Sequence, residues 1–83
     1  MKTTLKRFYL IDYRLKLGLT QRIVAEKMNI ESYVYSGIEN GYRGDLMNAD
    51  KLLHLADALG VGVRQLCLDE IAYQKLKKEK NNN

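Results

Sequence analysis

The fold is decided by residues 20–41, TQRIVAEKMNIESYVYSGIENG. Thr20 can cap a helix, its hydroxyl accepting from an amide of the first turn. Ile23 or Val24, then Ala25 and Met28, give that helix an apolar side, and Ala25 is small enough to let another helix cross closely. Asn29 ends it, because asparagine, after glycine, best tolerates the left-handed backbone of a tight turn. A second short helix follows from Glu31 or Ser32 to about Glu39 and stops near Asn40-Gly41. Ile30, Tyr35 and Ile38 fall on its inner side with Val34 on the flank, leaving Ser32, Tyr33, Ser36 and Gly37 outward. A small residue at the crossing, a left-handed residue at the turn and apolar residues locking the angle define a helix-turn-helix at about residues 20–39.

On the N-terminal side, a helix is expected from about Thr4 to Leu17, capped by Thr3 or Thr4 and stopped by Gly18. Leu5, Phe8, Ile11 and Leu15 recur at helical steps and read as its buried stripe, with Lys2, Lys6, Arg7 and Lys16 in water. On the C-terminal side, YRGDLM reads as a polar loop. Asn48 caps ADKLLHLADAL, whose core face is Leu52, Leu55, Ala56 and Leu59 and whose stop is Gly60. A short fifth segment, VRQLCL, follows Gly62, and Asp69 can cap a last amphipathic piece, EIAYQKLKKEK, that frays into NNN. The expected organisation is one all-α, five-helix domain over residues 1–68 and a short, basic, partly disordered tail over 69–83.

Composition narrows the function classes. Nearly half of the 83 residues are hydrophobic and none is proline, which suits a small helical bundle. The net charge is +4, and residues 1–68 carry 10 basic against 7 acidic groups. That balance permits phosphate binding without demanding it. The lone Cys67 cannot form an internal disulfide and reads as a buried apolar thiol, which fits a reducing, cytoplasmic setting. The N-terminal residues have no apolar core or cleavage site of a signal peptide, and no run reaches membrane-spanning length. One histidine, one cysteine and no glycine-rich phosphate cradle give no basis for an enzyme, a metal site or a cofactor. His54 reads as polar helix surface.

Residues 20–41 resemble the Cro/repressor (Xre) family of helix-turn-helix DNA-binding proteins, which includes the lambdoid phage repressors. The likeness is carried by GLTQ before the first helix of the motif, Ala25 in its middle, and the four-residue step to Asn29. Beyond the turn it continues in Ile30 and in Ile38, Glu39 and Gly41 of IENG, and LLHLADALGV resembles the family's fourth helix. It spans roughly Leu10 to Leu66. The resemblance implies a lambda-repressor-like domain that inserts its third helix into the major groove of double-stranded DNA as a homodimer. The expected role is a transcriptional regulator, a repressor of a phage, transposon or similar mobile element, with no membrane and no small-molecule ligand involved.

By the same resemblance, Arg14 and Glu39 form a structural ion pair between the first helix and the end of the third. Thr20 and Gln21 hold phosphate at a helix N-terminus, where free amides and the dipole suit an anion. Asn40, Tyr42 and Arg43 match the loop that grips the backbone beyond the third helix. The base-contacting positions are Ser32, Tyr33, Ser36 and Gly37, with Glu31 just before them. None of these positions carries the Gln, Asn, Arg or Lys that makes a bidentate base contact. Two readings of Glu31 stand level, a solvated helix end and an acceptor for a cytosine amine. The rival reading of the whole chain is a protein-interaction module, an antitoxin or anti-repressor on the same fold, because tyrosines around the third helix also suit protein interfaces.

Overall fold

Side-chain caps fix where two helices begin, and left-handed residues fix where three end. Thr20 accepts from the Ile23 amide at 3.1 Å, and Asn48 accepts from the Lys51 amide at 2.9 Å. Asn29, Gly41 and Gly60 close their helices at φ 58°, 84° and 66°. The computed structural model describes residues 4–43 and 47–81, and among them there are five helices and no strand. They are α1 (Phe8–Lys16), α2 (Gln21–Met28), α3 (Ser32–Asn40), α4 (Ala49–Leu59) and α5 (Val63–Asn81). The all-α, five-helix expectation holds. No helix among the described residues is long and apolar enough to cross a membrane.

The turn between α2 and α3 has the chemistry read from the sequence. With Asn29 left-handed, the Ile30 amide reaches back to the Ala25 carbonyl at 3.0 Å, the six-to-one bond of a Schellman ending. Val24, Ala25 and Met28 of α2 meet Tyr35 and Ile38 of α3, with Leu10, Leu55, Ala56, Ala58, Leu59 and Leu66 completing the core. Ile23 is exposed, so Val24 is the inward choice of the two. The Tyr35 ring is fully buried, and its hydroxyl has no hydrogen-bond partner of good geometry. Burial pushes that hydroxyl far above its ordinary pKa, so it stays protonated.

Gly41 answers to a close approach as well as to a turn. A Cβ there would collide with the Leu5 carbonyl and stand 3.1 Å from the Tyr73 hydroxyl, in a backbone conformation L side chains rarely adopt. The segment before α1 thus lies against the end of α3.

That contact corrects the reading of the first helix. It begins at Phe8, not Thr4, and the residue in the N-cap position, Arg7, makes no side-chain cap. Thr4 is exposed, while Thr3 lies outside the described residues. The cause is long-range: the Arg7 amide donates to the Glu39 carbonyl at 2.8 Å, and Leu5 offers its carbonyl to the Tyr73 hydroxyl at 2.8 Å. The expected buried stripe is also displaced. Phe8 and Leu15 are more than half exposed, while Leu10 and Arg7 are fully buried. Arg7, read as a wet residue, is thus among the largest buried side chains of the protein.

At the other end, one helix replaces two. α5 runs unbroken across the expected division at 68/69, and Glu70 and Tyr73 beyond it are buried. Asp69 caps nothing; it accepts from Tyr13 and, at 3.1 Å, from Gln65. The Tyr13 hydroxyl, held by that carboxylate, has its pKa pushed up to about 12. Cys67 is half-buried rather than buried. It lines an open apolar recess of about 360 Å³ with Met47, Leu52 and Ile71.

Candidate nucleic-acid interface

Two arginine–carboxylate pairs, one partly and one fully buried, hold the surface that α3 presents. In the first, Arg14 Nε and Nη2 donate to Glu39 at 2.9 and 2.8 Å, and Arg14 Nη1 donates to the Leu19 carbonyl at 3.0 Å. Glu39 is 1% exposed. Burial alone would raise its pKa, but the bonds from Arg14 and Gln21 outweigh that and hold it below the usual carboxylate range. The pair ties α1 to the end of α3, as the resemblance implied.

In the second, Arg7 Nε and Nη2 form a fork with Glu70 at 2.9 and 3.0 Å. Tyr9 and Gln74 also donate to that carboxylate, and the Tyr73 ring lies 4.4 Å from the guanidinium carbon. Arg7 Nη1 meanwhile donates to the Ile38 carbonyl at 2.7 Å and the Arg43 carbonyl at 2.9 Å. One buried guanidinium therefore binds α5, the end of α3 and the loop beyond it. The sequence reading missed Arg7, Tyr9, Glu70 and Tyr73. One signal was present: Arg7 and Arg14 are seven residues apart, two helical turns, so an inward Arg14 carries Arg7 to the same face.

The expected phosphate-contacting residues divide. Thr20 is exposed at the start of α2, with its hydroxyl accepting from Ile23. The first-turn amides of Gln21 and Arg22 have no acceptor within the helix. The Gln21 side chain, expected on phosphate, instead donates to Glu39 at 2.8 Å and completes the first ion pair. Asn40 is half-buried and donates to the Ser36 hydroxyl at 3.2 Å, while Tyr42 and Arg43 are exposed.

The expected base-contacting residues divide as well. Glu31, Ser32 and Tyr33 are exposed, Tyr33 by 66%. Glu31 occupies the N-cap position of α3 without a side-chain cap. Ser36 is half-buried and its oxygen accepts from Asn40. Gly37 was expected to face outward and bare, and it is buried. The Arg43 side chain crosses it, so that a Cβ on Gly37 would stand 2.8 Å from Arg43 Cδ. The Arg43 guanidinium carbon then lies 5.5 Å from the centre of the Tyr33 ring. An arginine from the following loop thus occupies the outward face of a helix that has none of its own.

No family model matches the chain, and no curated protein sequence matches it. Two solved structures of the clp gene regulator ClgR from Corynebacterium glutamicum share its fold. One superposes with a TM-score of 0.67 at 22% identity, covering 81% of this chain and 84% of that one. The other gives 0.69 at 21% identity, over 92% of this chain and 79% of that one. At these identities the likeness is one of fold.

Proposed function

We propose that this chain is a sequence-specific double-stranded DNA-binding protein and a transcriptional regulator, a repressor of a phage, transposon or similar mobile element. The observation that carries the reading is the α2–turn–α3 unit. Its inner side is locked by Asn29, the core and the Arg14–Glu39–Gln21 cluster, while Glu31, Ser32 and Tyr33 are exposed on the outer side. A helix so presented fits a major groove. Thr20 and the first-turn amides of α2, with Asn40 and Tyr42 across the groove, supply phosphate contacts on either side. That the fold is shared with a gene regulator, ClgR, supports the reading.

Repression would be steric. A homodimer places its α3 helices in successive major grooves, about 34 Å apart, over an operator that overlaps a promoter. The exposed Leu68, Ile71 and Leu76 of α5 are the dimer contacts we favour. Leu66, on the same helix, is fully buried in the core and takes no part. The function calls for no cofactor or small ligand.

The rival reading, a protein-interaction module, draws on the exposed apolar residues of α1 and α5, among them Phe8, Leu15 and Ile71. Salt separates the two. If about 6 phosphates are neutralised, affinity for duplex DNA falls roughly a thousandfold between 50 and 200 mM salt. A titration by fluorescence anisotropy should return that slope. A flat response favours the protein partner.

A further inference from the structure

We infer that Arg43 is the base-reading arginine of this domain, directed to guanine in the major groove, and that Gly37 is the bare track that lets it reach the face of α3. The inference rests on the DNA-binding reading above and names the base class it recognises.

Position alone would make Arg43 a backbone contact, since it lies past the C-terminus of α3. Its backbone is fixed at two points. The Arg43 amide donates to the Gly37 carbonyl at 3.0 Å, beside the Tyr42 amide at 2.8 Å, and the Arg43 carbonyl accepts from the buried Arg7 at 2.9 Å. From that anchor the side chain turns back along the helix rather than outward. Its Cγ and Cδ lie 2.9 and 2.8 Å from where a Gly37 Cβ would be, a space that any other residue would fill. Tyr33, one turn earlier on the same outward face, receives the guanidinium on its ring at 5.5 Å.

The result is a guanidinium held over the outward face of α3 beside the exposed Tyr33 ring, with its stem across Gly37. Its planar fork matches the O6 and N7 acceptors of guanine, the commonest specific contact an arginine makes. The glycine that weakens α3 as a helix is thereby explained: its missing side chain makes room for one supplied from the loop.

Selection on random duplexes, run with the wild type and three variants, tests this. The wild type should return one guanine in each half-site whose replacement costs about ten- to a hundredfold in affinity. Arg43→Ala and Arg43→Lys should both lose that preference while keeping the rest of the site. Both should keep the wild-type salt slope, because a contact to a base edge neutralises no phosphate. Gly37→Ala should lose the preference too, with a Tm equal to or above that of the wild type, because alanine favours the helix and displaces the arginine. If the Arg43 variants bind all sequences uniformly more weakly with an unchanged site, Arg43 is a phosphate contact and the inference fails while the DNA-binding reading stands. Full guanine preference in Gly37→Ala would overturn the role given to the glycine. A wild type that selects no site overturns both the inference and the reading beneath it.

Discussion

Arg7→Met should destabilise the protein by about 3–5 kcal/mol, the cost typical of removing one partner from a buried ion pair. A domain of 83 residues has a total stability of roughly 4–12 kcal/mol, so the variant will be largely unfolded at modest urea concentrations. The guanidinium is fully buried, and its loss strands three sets of acceptors. Glu70, 5% exposed, would keep only the donors of Tyr9 and Gln74, and the Ile38 and Arg43 carbonyls would each lose a donor. Removing both charges is the control. Arg7→Met with Glu70→Leu should recover much of the loss, because the main penalty of the single variant is an unpaired buried carboxylate. Urea unfolding followed by circular dichroism measures both. A single variant within about 0.5 kcal/mol of the wild type would show that Arg7 is not the tie between α5, α1 and the α3 loop.

Arg14→Ala should cost about 3 kcal/mol, and it should leave the preferred DNA sequence unchanged at temperatures where the variant is folded. Glu39, 1% exposed, loses two of its three side-chain donors and retains only Gln21. Tyr33→Ala should do the reverse. Its side chain stands 66% exposed, so stability should stay within about 0.5 kcal/mol while binding and site preference change. Equal loss of stability in the two variants would contradict the division between a locking face and a reading face.

The same pair sets a pH dependence. Glu39 has a folded pKa below its ordinary value. Its contribution is therefore complete above the usual glutamate range and is lost as pH falls through the lower, folded value. Glu39→Gln should flatten that acid limb of the stability curve while lowering stability at neutral pH.

What was legible in the sequence is what local chemistry controls. Thr20 and Asn48 caps, the left-handed Asn29 and Gly41, and the inward Ala25, Tyr35 and Ile38 all follow from spacing and backbone preference, and all are where they were expected. What was not legible depends on partners far along the chain. Arg7 looked like a surface charge because its carboxylate, Glu70, is 63 residues away. The apolar pattern Phe8, Ile11, Leu15 suggested the buried face of α1. The true face is set by two arginines that find carboxylates on α3 and α5.

The candidate interface follows the same division. Ser32 and Tyr33 face outward as their spacing requires. Gly37 lies on the same face but is buried, because a side chain six positions later, beyond the end of the helix, covers it. The Gln21 amide is likewise committed to Glu39, a contact that closes only once α2 and α3 are packed. Helical periodicity places a residue on a face; it does not reveal what else arrives there.

The claim that α3 meets DNA is tested most directly by following the backbone amide signals of the isotope-labelled protein as a duplex of about 20 base pairs is added, long enough for two half-sites one helical turn apart. The account predicts that the largest shifts fall on Thr20, Gln21, Ser32, Tyr33, Tyr42 and Arg43, with α4 and the core nearly still. Shifts confined to the exposed faces of α1 and α5 around Phe8, Leu15 and Ile71, or no shifts at low salt, would contradict it.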